Sequence, residues 1–351
     1  MKRIRFFVAV LVLLSLLFTS CSPKHVGGEK KEDSKEKISI GITFDTFVLE
    51  RWIRDRDVFV SAVSQENNAV VDVQNANGDA KKQQSQIKKF IEQKKDVIVI
   101  VAVDCFALTD VVEEAMHQGI KVVSYDRLIQ GAATDLYITV DNTQVGMEMA
   151  KEVKEKLPEG GNIVMICGPE MDTNSEDVAT AFEREMADSR YHILYKNHVK
   201  SWTPEYGFHA VTEAFRAAGE ENVDAVMCGN DGLAGHVIRA LSEKQLAGKV
   251  VVVGQDADTE ACQRVVEGTQ SMTVYKPIEE LAKAAASCAL TLGKGQDIKE
   301  AGYDIKEKEL QNKAKVPYLG LVPTAVRKDN MDQVIIDIGF HLREEVYLNM
   351  Q

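Results

Sequence analysis

Beyond residue 37 the chain alternates short, nearly continuous apolar runs with longer stretches in which apolar positions recur every three or four residues. Runs of strand length occupy residues 38–43, 69–74, 97–101, 122–125, 137–140, 163–167, 193–199, 225–228, 250–253 and 272–275. Between them, residues 52–66 place Val58, Phe59, Ala62 and Val63 on one face, and residues 85–93 do the same with Ile87, Phe90 and Ile91. Both are predicted helices. Valine and isoleucine runs without alternation read as strands covered on both faces, the pattern of a parallel sheet. The ten runs exceed one doubly wound domain. They predict an α/β chain of two Rossmann-like lobes with about five strands each. Asn77-Gly78-Asp79, Gly160-Gly161-Asn162 and Ala247-Gly248-Lys249 punctuate the alternation as turns. Residues 293–315 are charged and irregular, 318–326 read as a strand, and 330–346 read as a closing helix packed on a lobe.

Most of these runs stop at a polar or aromatic cluster. Residues 38–43 lead to Glu50-Arg51-Trp52, 122–124 to Asp126-Arg127, and 163–167 to Asp172 and Asn174. Residues 193–199 lead to Trp202, 225–228 to Asn230-Asp231, and 250–253 to Gln255-Asp256. Open parallel α/β sheets bind ligands just beyond the carboxyl ends of their strands. Guanidinium forks, carboxylates, amides and indoles stationed there suit a polyhydroxylated ligand.

The first residues carry a different signal. Lys2, Arg3 and Arg5 precede an apolar stretch over 6–18, followed by Thr19, Ser20 and Cys21. That order predicts a secretory signal over 1–20, too short for a comfortable membrane span. Small residues before a cysteine resemble a bacterial lipobox, so Cys21 is the expected lipidation site; an ordinary cut near Ser20 is the alternative. Residues 22–37 are rich in Lys, Glu, Ser and Gly. They cannot bury enough surface to offset their ordering entropy, and 21–37 is read as a lipid-bearing flexible tether.

Charge and cysteines narrow the options further. The chain carries −12 overall; without the three signal cations, 39 basic against 54 acidic residues leave −15. Such an acidic body disfavours nucleic acid as a partner. Cys105, Cys167, Cys228, Cys262 and Cys288 show no C-x-x-C spacing and are expected to be buried thiols. The seven histidines form no H-E-x-x-H pattern, and no metal site is inferred. No turn carries G-x-G-x-x-G and no P-loop appears, which disfavours an oxidoreductase; a repressor would need a helix-turn-helix where this chain has a signal.

Several longer motifs carry a resemblance: Leu49-Glu50-Arg51-Trp52 with Asp55-Arg56-Asp57, the Q-N-A-N-G of 74–78, and the G-I-K-V-V-S-Y-D-R of 119–127. The G-Q-D-A-D of 254–258, the G-T-Q-S-M-T-V-Y-K-P of 268–277 and Gly339-Phe340-His341 complete it. From residue 38 onward the chain resembles the periplasmic sugar-binding proteins of ABC transporters, the ribose- and galactose-binding superfamily, and within it those that bind D-xylose. The resemblance implies a type I binding-protein fold whose lobes are joined by three crossovers, near Asp141–Asn142, near Tyr275–Pro277 and near Leu319–Pro323. Residues 38–141 with 277–320 would form the N-lobe, and 142–275 with 321–347 the C-lobe.

The same resemblance implies a non-catalytic, extracytoplasmic, monomeric receptor without cofactor or metal. It would be held to the membrane through Cys21 and would pass D-xylose to an ABC transporter permease. A broader aldose receptor for glucose, galactose or arabinose, or a sensor for a membrane kinase, stays open. The family's sugar contacts map onto Arg51, Asp126, Arg127, Asp172, Asn174, Trp202, Asn230, Asp256 and Lys276. Each has a plainer role available: a helix cap for Asp172 and Asn174, core packing for Trp202, an ion pair within one lobe for Asp126 and Arg127. Trp52 and Phe44 are expected pocket walls. Asp231 and Asp258 are read as caps or supporting groups, and Asp141-Asn142 as a cap at a hinge.

Overall fold

The computed structural model describes residues 37–350. The expected signal, Cys21 and the tether up to residue 36 lie outside the described residues. A seven-stranded sheet is ordered β11-β12-β5-β4-β3-β1-β2. Its members are β1 (Ile38–Phe44), β2 (Ala69–Asn75), β3 (Val97–Ile100), β4 (Lys121–Tyr125), β5 (Leu136–Val140), β11 (Lys306–Glu309) and β12 (Lys315–Leu321). All pairings are parallel except β11 with β12.

A four-stranded parallel sheet, β7-β6-β8-β9, is built from β6 (Gly161–Cys167), β7 (Tyr191–His198), β8 (Ala225–Cys228) and β9 (Val251–Val253). β10 (Thr273–Tyr275) pairs with β13 (Thr324–Val326) as a separate antiparallel ribbon. The expected α/β architecture of two parallel sheets is observed, though the strands divide seven, four and two rather than five and five.

Strand β3 illustrates why apolar runs without alternation become central strands. Successive side chains point to opposite faces. Val97 and Val99 enter the core shared by α1 (Glu50–Ser64) and α9 (Ile278–Gly293). Ile98 and Ile100 enter the one beneath α2 (Ala80–Glu92) and α3 (Thr109–His117). Each such side chain contributes about 1.5–3 kcal/mol when fully buried. The small sheet is likewise sandwiched. α4 (Asn142–Lys156) and α5 (Thr173–Glu185) cover one face, and α6 (Glu205–Ala218) and α7 (Asp231–Glu243) the other. The thiols of Cys105, Cys167, Cys228 and Cys288 are buried and free.

Several boundaries depart from the pattern-based expectation, each for a local reason. Helix α2 begins at Ala80 because Asp79 accepts from the backbone N–H of Lys81 and Lys82, a cap that its polar first turns obscure. Strand β7 is an edge strand, leaving Ile193 and Leu194 exposed rather than covered on both faces. The expected strand over 318–326 is two strands in different sheets, separated by an exposed Val322. The irregular 293–315 segment contains β11, whose Lys-Glu composition suits a solvated sheet edge. The expected closing helix is instead a π turn over Asp332–Ile336 and a short α10 (Arg343–Val346), interrupted by Gly339 at φ 75°.

The chain passes between the two layered bodies after Val140, after Tyr275 and between Leu321 and Thr324. Helices α4 and α5, which present the first loop of the small sheet, pack through Gly146. A Cβ there would lie 2.3 Å from the carbonyl oxygen of Val178. Gly146→Ala should therefore destabilise the protein by about 1–3 kcal/mol through overpacking. An unchanged urea midpoint would contradict that packing.

Candidate functional site

The carboxyl ends of β1, β4, β6, β8 and β9 point their following loops toward one cavity. It is lined by Arg51, Asp126, Arg127, Asp172, Asn174, Trp202, Asn230, Asp256 and Lys276. The structure thus brings together all nine residues singled out from the sequence. Leu49, Trp52, Ser175 and Gln255 complete the wall. Phe44 does not line it. Its ring lies in the core, 5.3 Å from Phe47 and 6.4 Å from Trp52, because β1 turns that side chain inward beneath the indole. A second recess shares Leu49, Arg127 and Trp202 with the cavity.

Charge organises the interior. Arg51 Nη2 lies 3.0 Å from Asp126 Oδ2, its Nη1 3.8 Å from Asp256 Oδ1, and its Nε 3.5 Å from Asp55 Oδ2. Lys276 Nζ stands 3.0 Å from the same Asp256 oxygen. Arg127 donates to Asp45 Oδ2 and to the carbonyl of Ala102, both at 2.7 Å, while its Nε pairs with Asp172 Oδ2 at 2.8 Å. Asn174 Nδ2 donates to the backbone and side chain of Asp126, at 3.0 and 3.2 Å. Groups after strands of the large sheet therefore meet groups after strands of the small one. The plainer ion pairs within one half are present too, Arg51 with Asp126 and Arg127 with Asp45, and Arg127–Asp172 and Arg51–Asp256 add pairs to residues after strands of the small sheet.

Burial and partners pull against each other here. Burial lowers the affinity of Arg51 for its proton, but Asp126, Asp55 and Asp256 together raise it above the ordinary value. Arg127 behaves likewise beside Asp172 and Asp45. The Asp172 carboxyl is pushed up by burial and held back by Arg127. Its plainer role is also present: Asp172 accepts from the backbone N–H of Asn174 at the start of α5, and Asn230 caps α7 through Leu233. Capping fixes the rotamers that face the cavity, so the two roles coincide. Asp141 caps α4 through Gln144, as expected.

Two of the carboxylates sit on backbone that L-residues rarely adopt, Asp126 at φ 64° and Asp256 at φ 102°. Such conformations persist only where the surroundings over-determine them. Asp126 N–H donates to Ile138 O, and Asp256 N–H to Val274 O. Ala257, also at positive φ, donates its N–H to Thr273 Oγ1, and its carbonyl accepts from His341 Nε2, 2.7 Å away. Thr273 in turn donates to the buried Asp231 carboxylate at 2.6 Å. Asp231 is thus a supporting group for the Asp256 loop.

Three buried polar atoms on lining residues have no protein partner: Trp52 Nε1, Ser175 Oγ and Gln255 Oε1. The Gln255 amide nitrogen is spent on Gly229 O, which leaves its oxygen as an acceptor. Leaving such groups buried and unmade costs about 1–3 kcal/mol each. A ligand offering both donors and acceptors would satisfy all three. Sequence reasoning passes over Ser175, which stands in the first turn of α5, and treats Gln255 as a flank of Asp256 although it lies two residues past the end of β9.

Residues 40–297 match the family model described as periplasmic binding protein domain. The chain is 39% identical over 343 residues to the D-xylose-binding periplasmic protein of Haemophilus influenzae, covering 97% of this chain and 98% of that one. It is 37% identical over 339 residues to the D-xylose-binding periplasmic protein of Escherichia coli, covering 95% and 98%. The fold superposes with a TM-score of 0.78 on an ABC transporter solute-binding protein from Clostridium phytofermentans with bound β-D-glucose. That match is 24% identical and covers 88% of this chain and 99% of that one.

Burial lifts the Asp231 carboxyl to about 7, against the pull of Arg264. A carboxyl raised in the folded state holds its proton more tightly there than when unfolded, so it costs stability as pH rises from about 4 to about 7. The stability of the wild type relative to Asp231→Asn should fall across that window. A difference independent of pH in chemical denaturation would contradict it.

Proposed function

We propose that this chain, which belongs to the periplasmic binding protein domain family, is a receptor that encloses one D-xylose molecule and hands it to the permease of an ABC importer. It binds without turnover. The observation that carries the reading is a single cavity walled from both sheets, in which charged forks and carboxylates alternate with unpartnered hydrogen-bonding atoms. A pentose has hydroxyls that donate and accept at once, which suits carboxylates at one end of each bond and guanidinium or ammonium donors at the other.

The proposed halves are residues 38–141 with 277–320 and residues 142–275 with 321–347. Arg51, Asp126 and Arg127 approach the sugar from the first; Asp172, Asn174, Trp202, Asn230 and Asp256 approach from the second, with Lys276 at the crossover. The full set of bonds forms only when the halves meet, so the ligand selects the closed arrangement. Trp202 supplies a π face for the ring C–H groups, and Trp52, with the Arg51 guanidinium 4.1 Å over its ring, walls the cavity. Micromolar affinity requires about 8 kcal/mol. Charge-assisted bonds at about 1.5–3 kcal/mol each reach that total with few contacts. A wrong epimer leaves one of the buried groups unmade, and selectivity follows from the same penalty.

Two measurements bear on this. Titration calorimetry across pentoses and hexoses should give D-xylose the tightest binding. Ser175→Ala and Gln255→Leu should each weaken it by about 1 kcal/mol, roughly fivefold. Tighter binding of glucose, or no sugar binding at all, would overturn the assignment. The proposed lipid on Cys21 is tested by fractionation in a bacterial host. Cys21→Ala should move the protein from the membrane to the soluble fraction, and unchanged membrane retention would refute anchoring at that residue.

A further inference from the structure

We propose that Asp55, which does not itself line the cavity, is a positioning residue that holds Arg51 from behind and makes sugar affinity fall in acid. The proposal rests on the sugar-binding reading above. Arg51 and Asp55 are one helical turn apart on α1, so both project from the face that meets the large sheet. Their side chains are buried, Arg51 at 5% exposure and Asp55 at 0%. Asp55 is absent from the cavity wall, whereas Arg51 is part of it.

The geometry divides the guanidinium between two tasks. Its Nε faces Asp55 Oδ2 at 3.5 Å, and its two terminal nitrogens are left for the cleft. A guanidinium is planar, so fixing Nε fixes where the outer fork points. The other Asp55 oxygen accepts a short hydrogen bond from the Tyr125 hydroxyl. Tyr125 immediately precedes Asp126, whose left-handed backbone presents the carboxylate opposite Arg51. One buried carboxylate therefore braces both partners of the central ion pair.

The charge around Asp55 makes this brace sensitive to protons. Arg51 faces it from its own helix, and Tyr125 and Asp126 face it from the end of β4; Asp256, beyond Arg51, competes for the same cation. Helix α9, on the same side of the sheet, brings Leu281, Ala282 and Ala285 to the shared core. Burial raises the Asp55 carboxyl most, Arg51 and the Tyr125 bond lower it, and Asp126 raises it, leaving it at about 6. Above that pH the brace is an anion. Below it the acid is neutral, the ion pair that holds the guanidinium from behind is lost, and Asp126 and Asp256 draw the fork off the sugar's hydroxyl positions. Affinity is thus full above the transition and falls as pH drops through it.

The test is D-xylose titration between pH 5 and pH 8 with wild type, Asp55→Asn and Tyr125→Phe. Wild-type Kd should rise about tenfold between pH 7 and pH 5, following the protonated fraction. Asp55→Asn should bind about tenfold more weakly at pH 7 with a flat profile. Tyr125→Phe removes a bond that favours the ionised carboxylate, so its transition should move to higher pH. If Asp55→Asn does not fold, the wild-type and Tyr125→Phe profiles decide alone. A flat wild-type profile with sugar still bound at pH 7, an unmoved transition in Tyr125→Phe, or a wild-type slope in Asp55→Asn would overturn the role of Asp55. Absence of sugar binding at every pH would instead sink the receptor reading.

Discussion

The structure depends on one constraint: charges removed from water must find partners, and here each body supplies only part of the set. Arg127 takes Asp45 from its own side and Asp172 from the other; Arg51 takes Asp55 and Asp126 from its own side and faces Asp256 across the cleft. Breaking one member of a buried pair costs about 3–5 kcal/mol because the survivor stays uncompensated. The two bodies are therefore coupled through the site itself.

The same arrangement explains why so polar a site tolerates burial. Three cations, Arg51, Arg127 and Lys276, are set among five carboxylates, Asp45, Asp55, Asp126, Asp172 and Asp256. A neutral polyol changes none of these charges. On the proposed reading it would insert donor–acceptor hydroxyls between them and offer partners to Trp52, Ser175 and Gln255. The left-handed backbone at Asp126 and Asp256 belongs to this logic, since it aims two carboxylates into one small volume and is held there by Ile138, Val274, Thr273 and Asp231.

Much of this was legible in the sequence because a parallel α/β sheet ties site residues to strand ends. Arg51, Arg127 and Asp256 stand among the polar residues that follow apolar runs, and the longer motifs add Lys276. The misses share a different cause. Phe44 was assigned to the wall because strand-end position does not reveal which face a side chain takes. Asp55 was visible as part of a motif, but its pairing with Tyr125 joins residues 70 apart in sequence. The chain's final third misled most. Lys-Glu-rich β11 carries no apolar signal, and apolar residues over 330–346 suggested one helix where Gly339 breaks the run. Local propensity cannot anticipate a ribbon such as β10–β13, whose strands are distant in sequence.

A crystal structure of the protein grown with D-xylose tests the central claim most directly. The account predicts one sugar ring inside the cavity, hydrogen-bonded to Arg51 and Arg127 from one side and to Asn230 and Asp256 from the other. Sugar density elsewhere, or a ring held by residues of one side alone, would contradict it.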